Sequence, residues 1–208
     1  MIAILLLLLM ADANSNDARA AVDKYAACIV QQNGYRVRPL LDQPVGDKGE
    51  GARWISVLKT KCIDKTTVGE KFADQAQMRF SPLVIRGAVF EALLAKDYGN
   101  VALADSFDEV TPVQYAAQAD QPSSGEASYA LAMDIGECTV RKATGPSRTL
   151  LITTVGSKDE RAATKDLLPT IESCTPSGVT MEFSLSVIRS MIAEPMYRLT
   201  RAKMEAAE

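Results

Sequence analysis

The chain contains no histidine. That absence removes Ser-His-Asp and Cys-His catalysis, imidazole-bound metals and the usual general base near neutral pH. Aromatic residues make up only 6% of the 208 residues and tryptophan occurs once, too few for base-stacking platforms. Neither sign of charge dominates. The 23 Lys and Arg against 26 Asp and Glu leave a net charge of −3, and no basic run forms a patch, so no nucleic-acid partner is expected. Dinucleotide fingerprints, phosphate loops, EF-hands and H-E-x-x-H patterns are all lacking, so neither a cofactor nor a metal is expected. Strand-like alternation is confined to a brief stretch at Thr180-Met181-Glu182-Phe183. The remaining patterning is helical, and the expected fold class is all-α.

No apolar run approaches the roughly 20 residues needed to span a bilayer. The longest, Ile2 to Met10, suits the centre of a secretory signal, and Ala11-Asp12-Ala13 supplies an A-x-A cleavage pattern behind it. Residues 1–13 are therefore read as a signal peptide, and membrane contact is expected only through this segment. The missing positive n-region suggests a true start codon a little upstream. A buried core helix and an uncleaved anchor are the competing readings.

Four cysteines follow, an even number, without the C-x2-C spacing of thiolate zinc sites. In an oxidising compartment they should pair. Three connectivities are open to four cysteines, and an internal repeat chooses among them. At a shift of 110, Cys28 falls on Cys138, Val30 on Val140, Arg38 on Arg148, and Leu40-Leu41 on Leu150-Leu151. Val45-Gly46, Lys48 and Glu50 likewise meet Val155-Gly156, Lys158 and Glu160, so nine of 23 positions from 28 to 50 are identical. A second block recurs at a shift of 103: Met78-x-Phe80-Ser81-x-x-Val84-Ile85-Arg86 and Met181-x-Phe183-Ser184-x-x-Val187-Ile188-Arg189, followed by Glu91 and Glu194. Cys62 and Cys174 lie between the blocks, 112 apart. Two like units imply the pairs Cys28–Cys62 and Cys138–Cys174. Two homologous multi-helix units are expected over 14–98 and 126–208, joined by a polar linker over 99–125.

Within the second unit, residues 127–142 form one helix, ended by Gly145-Pro146, and a short apolar piece follows at Leu150-Leu151-Ile152. Ser157-x-x-Glu160 is a capping-box pattern, with Asp47-x-x-Glu50 in its place in the first unit. Ala163, Leu167, Leu168, Ile171 and Cys174 then share one helical face. Ser81 and Ser184 are N-cap candidates for the last helix of each unit, with Pro82 suited to a first turn. Pro195 should kink or end its helix. In the linker, Val101, Val113 and Tyr115 are the residues expected to reach the core.

The string Gly136-Glu137-Cys138-Thr139-Val140-Arg141 resembles a G-E-C-V-x-R pattern of uncharacterised exported proteins of alphaproteobacteria. In that group a leucine pair, a P-G-S turn, an L-x-P-x-L-x-x-C run and an F-x-x-x-x-L-R-G helix follow in order. The matching residues here are Leu150-Leu151, Gly156-Ser157, Leu168-Pro169 with Cys174, and Phe183 with Ile188-Arg189. Arg86-Gly87 fits the final pair better than Arg189-Ser190, whereas Ala26-Ala27-Cys28 departs from the opening. The similarity covers most of residues 20–98 and 126–199. It implies an exported helical protein and brings no catalytic residue with it.

Arg86, Glu91, Arg189 and Glu194 are the polar residues repeated in both units, and they are the candidates for a site. A separation of five places each Arg and Glu well apart around its own helix, so their partners must come from elsewhere. A structural tie is the first expectation for each. In the alternative, Glu91 and Glu194 meet across a twofold as a carboxylate pair able to hydrolyse glycosides. Glu137 is expected to pair with Arg141 at i and i+4. The leading functional expectation is a non-catalytic binding or interaction module of the periplasm or cell envelope, taking an unknown protein or small-molecule partner in a groove between the units. The alternative is a carboxylate-based envelope hydrolase. Ligand, biological process and oligomeric state are not legible in the sequence.

Overall fold

The computed structural model describes residues 13–43, 57, 60–63, 81–100, 104–115, 124–179 and 183–207. Residues 1–12 of the expected signal peptide, Asp47-x-x-Glu50, Met78-x-Phe80, Val101 and residues 180–182 lie outside those residues. The described elements are α1 (Ala13–Leu41), α2 (Thr60–Ile63), α3 (Pro82–Tyr98), α4 (Ser124–Lys142), α5 (Thr144–Ile152), α6 (Lys158–Cys174) and α7 (Leu185–Glu205). No strand occurs among them.

Helices α3 and α7 stack against each other at the centre. Helix α1 covers α3 on one side; α4, α5 and α6 surround α7 on the other. The centre of α7 is buried almost all round, from Ile188 and Arg189 through Met191, Ile192, Met196 and Leu199. A helix with no solvent face belongs inside a bundle, and its few polar side chains must find partners there. The face expected on α6 is buried at Ala163, Leu167 and Ile171, and Ile135 is buried on α4. On α3 the buried apolar residues are Ile85, Val89, Phe90, Leu93 and Leu94, so the face is rotated from the expected Val84, Ile85, Ala88 and Ala92, of which only Ile85 is buried.

Two disulfides tie the bundle, Cys28–Cys62 with Cα atoms 5.7 Å apart and Cys138–Cys174 at 5.8 Å. Both are the pairs expected from the repeat, and they are consistent with an oxidising, exported location. No helix among the described residues is long and apolar enough to cross a membrane.

The local signals act as their chemistry dictates, with instructive departures. Ser157 caps α6 by accepting a hydrogen bond from the Glu160 amide at 3.0 Å. The Glu160 carboxylate reaches back one residue further than a capping box requires and takes the Gly156 amide instead. Gly156 has φ +82°, a left-handed turn that favours glycine. Ser184 caps α7, whereas Ser81 makes no side-chain cap and Pro82 opens α3. Gly145-Pro146 falls in the first turn of α5 rather than after the end of α4. Helix α1 carries a non-helical residue at Asn33 (φ −134°), and α4 gives way to α5 at Ala143 (φ −139°), 110 residues later.

Pro195 does not end its helix; α7 continues to Glu205. Proline has no N–H, so the Met191 carbonyl one turn earlier loses its helical donor. Gly136 of α4 packs directly against that oxygen, where any Cβ would overlap it. The close approach of α4 thus covers the backbone that Pro195 leaves unpaired, in a carbon–oxygen contact of a kind common between helices. The linker reaches the core at Tyr115, as expected, and also at Phe107, which the sequence does not single out. Residues 104–115 run without regular structure, but they are not merely a surface connection: Phe107 is fully buried and Tyr115 nearly so. Glu137 holds this segment by accepting from the Val113 amide at 3.1 Å, while Arg141 donates to the Phe107 carbonyl at 2.6 Å. Glu137 and Arg141 also make the expected pair, with Nε to carboxylate at 2.9 Å.

Candidate functional site

Where α3 crosses α7, Gly87 lies against Ser190 so closely that a Cβ on Gly87 would overlap it. The preceding residues, Arg86 and Arg189, reach in opposite senses. Arg86 of α3 grips Glu194 of α7 with Nε at 2.9 Å and Nη2 at 3.1 Å. Arg189 of α7 grips Glu91 of α3 with Nε at 2.7 Å and Nη2 at 2.5 Å. Each repeated arginine therefore takes the repeated glutamate of the other helix. Both forks are bidentate, the geometry in which a guanidinium suits a carboxylate best. The arginines also share a second duty. Arg86 donates to the Leu41 carbonyl at the end of α1, and Arg189 donates to the Leu150 and Leu151 carbonyls at the end of α5. Carbonyls at helix C-termini favour cationic partners, and the Leu150 carbonyl also accepts from the Thr153 amide at 3.2 Å.

The two glutamates sit in different surroundings. Glu194 accepts additionally from Arg198 Nε at 2.9 Å, and Arg86 donates to the Tyr129 hydroxyl at 3.0 Å. The guanidinium groups of Arg86 and Arg198 both lie over the Phe90 ring, 5.3 and 5.2 Å from its centre. Burial opposes ionisation of Glu194, but the charges of Arg86 and Arg198 outweigh it and hold the carboxyl below its ordinary range. Around Glu91 the acids outnumber the bases. Arg19 of α1 pairs with Glu160 through both terminal nitrogens, at 3.0 and 2.5 Å, and Arg189 reaches Glu160 at 3.3 Å. Asp23 of α1 completes the group and has no hydrogen bond or ion pair among the described residues. Burial pushes Glu91 above the ordinary carboxylate value despite Arg189, with Asp23 and Glu160 adding to the rise. Asp23 is raised as well, by burial first, with Arg189 and Lys24 opposing and Glu160 adding.

Glu91 and Asp23 open onto a groove of about 370 Å³. Helix α3 supplies its floor through Ala92, Ala95 and Tyr98, and α1 supplies Ala27 beside Asp23. Helix α5 forms the facing wall with Leu151, Ile152 and Arg148. Ile152 is 78% exposed, a large apolar side chain left on the rim. The groove thus lies between helices of the first half of the chain and a helix of the second. Its volume falls within the range of small-molecule pockets, about 300–1,000 Å³, and its lining is mainly apolar with a few polar groups, as such pockets are.

Of the residues expected from sequence, Arg86, Glu91, Arg189 and Glu194 do come together at the helix crossing, but the glutamates do not face each other. Glu194 is enclosed by Arg86, Arg198 and Tyr129, while Glu91 shares its surroundings with Arg189, Asp23 and Glu160. Sequence reasoning missed Asp23, Arg19 and Arg198. Asp23 and Arg19 lie four apart on one face of α1, a spacing that could have marked them; Arg198 stands four residues after Glu194, an i,i+4 pair that could have been read. Among the described residues no group of acids and cysteines could hold a metal ion.

Asp23 gives a stability prediction with a definite sign. Its folded-state pKa lies above its ordinary value, so its ionisation weakens the fold as pH rises through that raised value. Asp23→Asn should leave stability unchanged at acid pH, below the ordinary value of 3.8. Its Tm should exceed the parent's at neutral pH by up to about 4 °C, the equivalent of roughly 1 kcal/mol for a chain of this size. Thermal melts across pH 3 to 8 check this; a variant less stable than the parent at pH 7 contradicts it.

No protein-family model, no curated protein and no solved structure matches the chain.

Proposed function

We propose that the chain is an exported, non-catalytic binding module of the periplasm or cell envelope, built from two copies of one helical unit and holding its partner in the groove between them. The groove carries this reading: an open, mainly apolar recess bounded by α1 and α3 on one side and α5 on the other. Export is supported by the two disulfides and by the apolar run before Ala11-Asp12-Ala13. Duplication is supported by the equivalent bridges, by helix interruptions at Asn33 and Ala143, and by Arg86 and Arg189 bonding Leu41 and Leu151, again 110 apart. The resemblance to exported helical proteins of alphaproteobacteria agrees with the same reading.

An envelope hydrolase working through Glu91 and Glu194 remains the alternative. It requires both carboxylates at one substrate, whereas Glu91 lines the groove and Glu194 is neutralised among arginines away from it.

Native mass spectrometry of protein recovered from its own cells tests the proposal. The expected species has lost residues 1–13, is four hydrogens lighter than the reduced chain (two for each bridge), and carries a bound molecule. A cytoplasmic protein with reduced thiols overturns the export reading. Turnover of an envelope glycan, lost in both Glu91→Gln and Glu194→Gln with the fold intact, establishes the hydrolase instead.

A further inference from the structure

We propose that the groove docks a non-helical, apolar segment of a partner polypeptide, with an aromatic side chain seated on Ala95. The groove is the open counterpart of the place where this chain docks its own residues 110–115. The inference deepens the binding-module reading and rests on its two-copy arrangement.

The halves correspond at the offsets of the repeat, 110 from α1 onto α4 and α5, and 103 from α3 onto α7. In the second half the chain covers this surface itself. The Val113 amide donates to Glu137 of α4 at 3.1 Å, and the buried Tyr115 side chain stands among Glu194, Arg198 and Glu137. Arg198 reaches the Leu41 carbonyl at 2.6 Å and Arg201 reaches Asp42 at 3.0 Å, tying the end of α1 down onto α7. At the repeat offsets, Glu137, Arg198, Arg201 and Asp42 correspond to Ala27, Ala95, Tyr98 and Ile152. All four of those residues line the groove. Three small or aliphatic side chains and a tyrosine thus stand where four charged groups hold a segment and close the cleft. Ala27 and Ala95 are exposed, whereas Glu137 and Tyr115 are buried.

These replacements set the chemistry of the occupant. The groove lacks the counterparts of Arg198, Arg201 and Asp42, and its own charges balance, Asp23 and Glu91 against Arg148 and the Arg189 that holds Glu91. Charge therefore selects neither a cation nor an anion. Apolar area does the selecting: Ala92, Ala95, Tyr98 and the exposed Ile152 gain most from being covered. From Glu91 to Gly99 the lining runs eight residues along α3, about 12 Å at the helical rise, enough for about four residues of extended chain. The aromatic side chain follows from Tyr115, which lies beside Glu194 and Arg198, the counterparts of Glu91 and Ala95. Aromatic anchors in a recess are also the side chains that dominate protein interfaces.

Backbone amide chemical shifts of the oxidised chain, followed during titration with the acetylated, amidated peptide Val-Thr-Pro-Val-Gln-Tyr, test the assignment. This neutral probe copies residues 110–115. Shifts should move at Ala27, Ala95, Tyr98 and Ile152 and stay fixed at Glu137 and Val113. The same peptide with alanine in place of its tyrosine should bind about tenfold more weakly or worse, the value of burying an aromatic ring. Ala95→Arg supplies the counterpart of Arg198 and should weaken the tyrosine peptide at least as much, with no fall in Tm. Ile152→Asp, at a site 78% exposed and so harmless to the fold, should weaken it several-fold. Absence of any shift, shifts centred on Glu137 and Val113, equal affinity for the alanine peptide, or parent-like binding by Ile152→Asp each overturns the proposal. A small molecule retained in native mass spectrometry would then still sustain the binding-module reading, and its absence as well would end both.

Discussion

Replacing Glu194 by alanine is expected to destabilise the protein by about 3–5 kcal/mol, the usual consequence of leaving a buried charge without its partner. The loss is large because two cations depend on this carboxylate. Arg86 is 4% exposed and Arg198 is 14% exposed, and both donate to Glu194, itself 1% exposed. Arg198 can extend toward Asp42 at the surface, 4.0 Å away, but among the described residues Arg86 is left with Tyr129 and the Leu41 carbonyl. The sign of the pH dependence follows from the lowered pKa. Glu194 contributes stability that is fully present above the ordinary carboxylate value and is lost as pH falls through its lower folded value. The gap between parent and variant in urea titrations should stay constant from neutral pH to about 5 and close only in strong acid. Adding Arg86→Met to Glu194→Leu should recover a substantial part of the loss, since an apolar pair removes the uncompensated charge. A single Glu194→Ala variant within 1 kcal/mol of the parent would mean that water reaches Arg86 and that the pair is not the buried tie described above.

Removal of the second bridge, by Cys138→Ala with Cys174→Ala, is expected to be comparably damaging. The two cysteines are 36 residues apart, and closing a loop of that length constrains the unfolded chain by about 4 kcal/mol in the chain-entropy model. The bridge fixes α4 to the end of α6, while α4 also carries Gly136 against α7 and Glu137 against residues 104–115. Loosening α4 therefore exposes the Met191 carbonyl and Phe107 together. For a domain whose total stability is of order 5–15 kcal/mol, the double variant should unfold at a much lower urea midpoint. The parent treated with reductant loses both bridges and should unfold at a lower midpoint still. A midpoint unchanged by either treatment would show that helix packing alone sets the stability of this half.

The sequence exposed the parts of this architecture that have a period or a local grammar. Cys28, Cys62, Cys138 and Cys174 could be paired because the repeat removed the combinatorial choice, and Ala163, Leu167 and Ile171 could be placed because helical faces recur every three or four residues. Glu137 and Arg141 are readable for the same reason. Partner choice across helices has no such signal. That Arg86 would take Glu194 and Arg189 take Glu91 depends on how α3 crosses α7, which the spacing within either helix does not encode. That α7 runs on past Pro195 depends on a neighbour, which the sequence does not encode: Gly136 covers the carbonyl that the proline leaves free. Asp23 was passed over since a single acid on a helix reads as solvated surface until the groove beside it is seen.

The order of the bridges along the chain has a consequence for how the molecule is made. Both join consecutive cysteines, first with second and third with fourth. A chain that emerges N-terminus first presents Cys28 and Cys62 together before Cys138 has appeared, so an oxidant acting on whatever has emerged has one pairing open to it, and that pairing is the native one. The second pair then closes on a chain with no other thiols left. With this connectivity, oxidation of the chain as it emerges needs no reshuffling of wrong bridges, whereas refolding the complete reduced chain confronts all three connectivities at once.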